Sequence, residues 1–563
     1  MTQQPATDAT QNDATSRTGW RARDWLVIAL IVGAVLRVGL LDQPAGGLNQ
    51  DEAANAWNAQ CLLKTGRDQA GAAWPIFCMR ALGENRVTPQ IYAVLAFQAV
   101  GGMNVWTTRL PIALGGVATI ALLYCLASRL FGRTVGAAAA VLLALNPWHV
   151  QLSRLCYGAS LTPLLLTVAL AAMVWAGLPL GQDGGRARVG RALVAGLVTG
   201  AACYGYFALR LVLPLLLIAI VIVGWRGWWE LLRTRGRAAV GTFVLGVALT
   251  AGPLVWQHIA HPDEMLRRGT NVVLWQPGAT AGEVAHEVAS RYLGHFGPDF
   301  LFLRGDHQIV NSVPGVGVLH WYALPLLIAG LVVIIRRLWR SPAARVLLAW
   351  VILYPVGDCL AQAESMHALR SAPGLCGLIL LMAVGGAALI DVARRWRPAM
   401  RRVAAVAAAT LILAGSARFC YAYYYAYPRQ PDVYHVFYVD LLEACAYLRP
   451  RLAEYDAVYV TTDGMAVPYI VTLFGLQYPP AWWLSGDCDV DRSGEWDQYR
   501  RYGKIHFIYD EQAIEELQAL RENGRVDRIA LVLRPDQAAP VAPSLVTVDP
   551  DGGPTMAVYE VDW

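Results

Sequence analysis

The stretch WLVIALIVGAVLRVGLL, Trp25 to Leu41, is followed by Gly47-Leu48-Asn49-Gln50-Asp51-Glu52-Ala53, so an apolar run long enough to cross a bilayer leads straight to two adjacent carboxylates. Before it come a polar tail, Met1 to Thr18, and the basic residues Arg21 and Arg23. No small-residue cleavage site follows it, which predicts an uncleaved first transmembrane helix and not a removed signal peptide.

The rest of the 563-residue chain repeats this pattern. Hydrophobic residues make up 56% and charged residues 15%, too apolar for a water-soluble protein of this length. Further apolar runs are Thr88 to Val100, Leu110 to Leu130, Val135 to Trp148, Leu161 to Leu180, Ala192 to Ala208, Leu209 to Val223 and Ala239 to Trp256. Leu319 to Ile335, Val346 to Ala361, Pro373 to Ile390 and Val403 to Tyr421 complete the series. They predict an α-helical polytopic membrane protein of about 11–13 transmembrane helices. The net charge of +5 sits mainly in short arginine loops, a topology signal with no mark of nucleic acid.

Those loops (Arg129/Arg133, Arg186/Arg188/Arg191, Arg226/Arg233/Arg235/Arg237, Arg336/Arg337/Arg340 and Arg394 to Arg402) are assigned to the cytoplasm. Loops 42–86 and 258–318, the segments 146–160 and 362–371, and everything after Tyr421 then face outward, at the plasma membrane. Three apolar runs lie between the Asp51 and Arg154 loops although both are assigned outside, which needs an even number of crossings. Either Thr88 to Val100 is re-entrant or one charge assignment fails. Among the cysteines, Cys61 with Cys78 and Cys445 with Cys488 are disulfide candidates in an oxidising compartment.

The chain divides into a polar tail (1–22), a transmembrane part (23–421) and a soluble α/β part (422–563). In the last, a helix is expected over Asp440 to Glu454, a strand over Ala457 to Thr462 and a helix over Met465 to Phe474. A strand at Ile505 to Tyr509, a helix at Glu511 to Glu522 and strands at Ile529 to Leu533, Leu545 to Val548 and Ala557 to Val561 follow. Thr461-Thr462-Asp463-Gly464 lacks the spacing of a phosphate loop, so a scaffold or acceptor-guiding role is expected. The Tyr421 to Tyr427 run reads as an interfacial aromatic belt.

Asp51-Glu52 opens a helix that reads as interfacial and ends near Thr65-Gly66. This arrangement, with Arg109-Leu110-Pro111, the turn Arg129-Leu130-Phe131-Gly132-Arg133, and Asn146-Pro147-Trp148-His149 before Ser153-Arg154, resembles the GT-C class of polyprenyl-phosphate-sugar-dependent glycosyltransferases. The likeness is strongest to the protein O-mannosyltransferase and aminoarabinose transferase branch. It implies the GT-C fold, a polyprenyl-phosphate-linked sugar donor, and a protein, lipid or glycan acceptor at the outer face. It implies that Asp51 is the general base on the acceptor, with Glu52 beside it as catalytic partner. By placement in the family pattern, Arg370, with His367, would contact the carrier phosphate, which the planar guanidinium suits; Arg154 is a further candidate. An outward arginine runs against the charge bias, which weighs against simple snorkelling.

Aminoarabinose transferases carry another Asp shortly after the position of Arg154. Here the sequence is Tyr157-Gly158-Ala159-Ser160, so a second carboxylate would have to come from Glu52, Glu84 or Asp306. Asp306 and His307 in the long outer loop are expected to bind sugar or acceptor hydroxyls. No loop histidines show zinc-type spacing with a third ligand; no cofactor is required, and a divalent metal is left open without named ligands. The competing reading is a transporter or lipid flippase, which would place ionisable residues at the midplane and show internal repeats. A non-catalytic scaffold is the third, and would tolerate replacement of Asp51 and Arg370.

Overall fold

The computed structural model describes residues 21–42, 46–180, 187–234, 236–262, 279–361, 366–492, 496–509, 527–537 and 541–562. All the apolar runs are helical, as chains in lipid must be to satisfy their backbone internally. In order these are α1 (Ala22–Val38), α2 (Gln50–Thr65), α3 (Pro89–Gly101), α4 (Val105–Phe131), α5 (Arg133–Leu145), α6 (Pro147–Leu152), α7 (Thr162–Ala176), α8 (Val189–Ala202), α9 (Phe207–Val223), α10 (Trp225–Arg233) and α11 (Arg237–Ala260). Later apolar helices cover Ala323–Val333, Pro342–Leu353, Leu375–Ala393 and Pro398–Tyr421. Five helices are long and apolar enough to cross a membrane alone, and α9 with α10 would make a sixth, bent by 76°. The shorter α5, α7 and α8 pack into the bundle between longer neighbours.

The parity conflict resolves at α3. Gln98 near its end donates to Ala56 O on α2 at 3.2 Å, and Met103 O just beyond it accepts from Gln477 of the C-terminal region at 3.3 Å. At its start, Thr88 donates to Ile76 O in the loop after α2. Both ends of α3 therefore lie on the α2 side, and the helix returns without crossing. α4 and α5 then run away and back, so the Asp51 and Arg154 segments lie at the same end of the bundle, where Cys156 N donates to Glu52 at 2.9 Å.

The C-terminal region folds around a seven-stranded sheet. With β1 (Met79–Ala81) and β2 (Glu84–Arg86) forming a separate hairpin, its strands are β3 (Ala457–Thr461), β4 (Cys488–Asp491), β5 (Gln498–Tyr502), β6 (Ile505–Ile508), β7 (Arg528–Leu533), β8 (Leu545–Val548) and β9 (Pro554–Asp562). Their order is β4-β5-β6-β3-β7-β9-β8, with β3 parallel to β6 and β7 and the other pairs antiparallel. The expected strands at β3, β6, β7, β8 and β9 are present. The edge pair β4 and β5 is additional; its residues, CDVD and QYRRY, carry too many charges to read as strands. The expected helix over 511–522 lies outside the described residues, as do Glu364 and Ser365.

Three expectations are corrected. First, α2 is not interfacial: Glu52 to Ala59 are all buried, because Ala53, Ala54, Trp57 and Cys61 share a core with Leu441, Ala444, Tyr469 and Leu473 of the C-terminal region. The buried polar side chains of α2 are paired in place, Glu52 with Arg109, Asn55 with Cys156 O and Asn58 with Gln69. Second, Cys61, Cys78, Cys445 and Cys488 are free thiols. Cys61 is sealed in this core, and burial pushes the Cys445 thiol up to about 12. Third, the tyrosine run divides: Tyr421 and Tyr425 are exposed, whereas Tyr423 and Tyr427 are buried.

Candidate active site

The site begins at the N-terminus of α2. Asn49 caps the helix, its Oδ1 accepting from Asp51 N at 3.0 Å, and Glu52 closes the reciprocal capping box. One helical step separates the two carboxylates, about 100° of rotation at 3.6 residues per turn, and their surroundings differ completely. The Asp51 side chain is 27% exposed and the Glu52 side chain 0%.

Glu52 is held inside the protein. Arg109 of α4 donates Nε to Oε1 at 2.9 Å and Nη2 to Oε2 at 2.8 Å, and Cys156 N donates to Oε1 at 2.9 Å. Arg109 also reaches Leu41 O at 3.3 Å and Gly47 O at 2.7 Å. The pair thus ties the exit of α1, the start of α2, the start of α4 and the loop after α6 at one point. Gly47 has to lack a side chain, since a Cβ there would stand 2.1 Å from Phe437 O. The role suggested for Glu52 beside the acceptor is corrected: its oxygens are engaged in this buried fork.

Asp51 opens instead onto a cavity of about 330 Å³. Its Oδ1 lies 2.8 Å from Arg86 Nη1, and Glu84 Oε2 is 3.9 Å from Arg86 Nη2. The β1–β2 hairpin, turned through Leu82 and Gly83 at positive φ, carries Glu84 and Arg86 to the cavity. Arg86 is 6% exposed, and its Nε and Nη2 have no hydrogen-bond partner among the described residues. The opposite wall contains His367 and Arg370, with Gln308 and Asn311; Tyr157 and Trp496 complete the lining. Burial, with Glu52 nearby, pushes the Tyr157 phenol well above its usual range, so it keeps its proton.

Behind His367 and Arg370 are two buried acids. Asp358 accepts from His367 N at 2.9 Å and lies 3.1 Å from His295 Nε2, 3.5 Å from Arg370 Nη1 and 3.7 Å from Arg291 Nη2. Asp306 accepts from Ala368 N at 2.8 Å, Gln308 N at 2.9 Å and Asn311 Nδ2 at 3.1 Å, with His367 Nδ1 at 3.4 Å. Asp306 therefore fixes the loop that carries His367, and its expected contact with sugar hydroxyls is corrected. His307 is exposed beside Asp299 at 3.4 Å, away from the cavity lining.

Arg154 also differs from expectation. It is buried and donates to the carbonyls of Leu36, Arg37, Gly39 and Leu40, between the rings of Tyr423 and Tyr424. It neutralises the C-terminal carbonyls of α1, where a cation is favoured, and is absent from the cavity lining. Of the residues singled out in sequence, the cavity unites Asp51, Glu84, His367 and Arg370. Arg86 and Asp358 were missed. Arg86 met the test applied to Arg370, a basic residue on the side poor in them; Asp358 lay in an apolar run with nothing to mark it. Among the described residues no three His, Cys, Asp or Glu side chains gather as metal ligands.

A bundle of apolar helices whose loops, capped by a sheet-containing region, enclose Asp51, Glu84, Arg86 and Arg370 is that of a polytopic membrane protein, and its fold is of the GT-C type. The profile of the dolichyl-phosphate-mannose-protein mannosyltransferase family matches residues 89–256. The chain is similar to the crystal structure of ArnT from Cupriavidus metallidurans bound to undecaprenyl phosphate, at TM-score 0.55 and 15% identity, covering 96% of this chain and 98% of that one. It is similar to the apo state of the same protein at TM-score 0.53 and 15% identity, covering 95% and 97%. No curated protein matches the sequence.

Proposed function

We propose that this protein transfers a sugar from a polyprenyl-phosphate donor to a protein, lipid or glycan acceptor, at the side of the membrane that holds the C-terminal region. The carrying observation is the convergence of Asp51, Arg86, His367 and Arg370 on one cavity. In this reading Asp51 takes the proton of an acceptor hydroxyl or amine as that atom bonds to the anomeric carbon. The bond from that carbon to the phosphate oxygen breaks, and the polyprenyl phosphate leaves with the electron pair. Arg86 and Arg370 would neutralise the leaving phosphate, each with the planar fork that suits it. The likeness to a protein crystallised with undecaprenyl phosphate supports the donor class, and the mannosyltransferase profile supports sugar transfer. Outward placement of the cavity at the plasma membrane rests on the arginine loops.

The test is Asp51→Asn in membranes supplied with a polyprenyl-phosphate sugar. Transfer should fall by about 10²–10⁴-fold, the range for loss of a general base, with the protein still expressed and folded in the membrane. Normal turnover by this variant would sink the assignment.

A further inference from the structure

A second cavity lies at the opposite end of the bundle. It is an apolar groove of about 870 Å³ between α1, α4 and α7, floored by Leu26, Leu122, Ala171 and Ala172. Arg109, near the start of α4, meets the Asp51 side, and α4 runs 27 residues from Val105 to Phe131. At 1.5 Å per residue that is about 40 Å, so the groove, which reaches the last turn of α4, opens to the other leaflet.

Four guanidiniums line its mouth: Arg21 and Arg23 at the start of α1, Arg129 in the last turn of α4 and Arg133 in the first turn of α5. The last two flank Gly132, whose φ of 94° allows the chain to reverse between α4 and α5. Trp175, at the end of α7, forms one wall, with the Arg191 guanidinium 4.7 Å from its ring centroid. The lining extends from Arg129 back to Leu122, and from Trp175 back to Val168. Each is two helical turns, about 10 Å of apolar depth below the charged rim.

We infer that this groove binds an anionic diacyl phospholipid, its phosphate among the four arginines and its acyl chains along α4 and α7. The chemistry of the rim selects the sign of the headgroup, since arginine forks bind phosphate oxygens and clustered cations between helices attract anionic lipid. The apolar depth selects acyl chains over a soluble anion. The small side chains Ala171 and Ala172 leave the volume that the chains would fill. The inference does not depend on the reaction proposed for the Asp51 cavity.

The test is native mass spectrometry of the full chain in detergent, titrated with phosphatidylglycerol or with phosphatidylcholine of the same acyl chains. The expected result is tighter retention of phosphatidylglycerol by about tenfold or more, as several cations near one anionic headgroup would give. Replacing Arg21, Arg23, Arg129 and Arg133 together by Gln should reduce phosphatidylglycerol to the level of phosphatidylcholine. Should that variant misfold, Arg129→Gln with Arg133→Gln should lower the preference in part, and Ala172→Trp should weaken retention of both lipids. Equal retention of the two lipids by the unaltered protein would overturn the inference. So would an unchanged preference in the arginine variants, or displacement of phosphatidylglycerol by equimolar polyprenyl phosphate.

Discussion

Asp51 and Glu52 are neighbours with opposite fates, and the reason is rotation about one helix. Glu52 points into the Arg109 fork with no exposed surface, while Asp51 meets Arg86 at the cavity. Their substitutions should separate cleanly. Glu52→Gln leaves the Arg109 charge buried and uncompensated, a change that costs about 3–5 kcal/mol, and should lower the thermal unfolding temperature of the purified protein sharply. Asp51→Asn should lower it less, since Asp51 is part-exposed at the cavity and Glu84 stays 3.9 Å from Arg86. At Arg86, substitution by Gln should raise KM for a polyprenyl-phosphate sugar and lower kcat, and Lys should restore part of the activity, since it keeps the charge but loses the fork. Full activity of Arg86→Gln would remove it from the phosphate site. The sequence marked Asp51 through its place in an ordered set of motifs. It gave no sign that Glu52 belongs to Arg109, because that contact spans 57 positions.

At the scale of elements, helices are held by close approach where they lack long apolar contacts. At the α8–α11 crossing a Cβ on Gly196 would stand 2.1 Å from Phe243 O, and one on Gly246 would stand 2.6 Å from Leu193 O. Thr250 Oγ1 also donates across to Leu197 O at 3.1 Å. Gly246→Leu should therefore force the pair apart at a cost of about 1–3 kcal/mol, read as a lower unfolding temperature. In the sheet, His506 on β6 stacks on Tyr459 of β3, with centroids 4.6 Å apart. Burial, then the Arg501 charge, lowers its imidazole to about 4 from 6.5. The unfolded chain binds that proton at the higher pH, so this contribution to stability is complete above about pH 6.5 and is lost as pH falls toward 4. His506→Gln should lose that component of the acid dependence of unfolding, measured against the unaltered protein.

For the molecule as a whole, the C-terminal region builds the site as well as covering it. It supplies most of the core around α2, holds Gln69 O through Trp483 Nε1 at 2.8 Å and contributes Trp496 to the cavity. The path of α3 also makes a prediction about topology. In a background without native cysteines, Asn104→Cys and Ser485→Cys should react with a membrane-impermeant maleimide from the same side, and Thr134→Cys only from the other. Labelling of Asn104→Cys only from the side opposite Ser485→Cys would mean that α3 crosses.

Sequence by itself determined the membrane class, the helical runs and most of the sheet, and it marked the Asp51 segment as a candidate site. These depend on local quantities: apolar length, strand periodicity and ordered short motifs. Tertiary structure alone decided that α3 turns back, that α2 is buried on all sides, and that Arg154 caps α1 and stays out of the cavity. It also brought Arg86 to Asp51 and set Asp358 behind Arg370. Each of these is a choice of partner across long stretches of chain, and an arginine that binds carbonyls, a carboxylate or a phosphate is the same letter in sequence. Only the geometry of the folded chain distinguishes them.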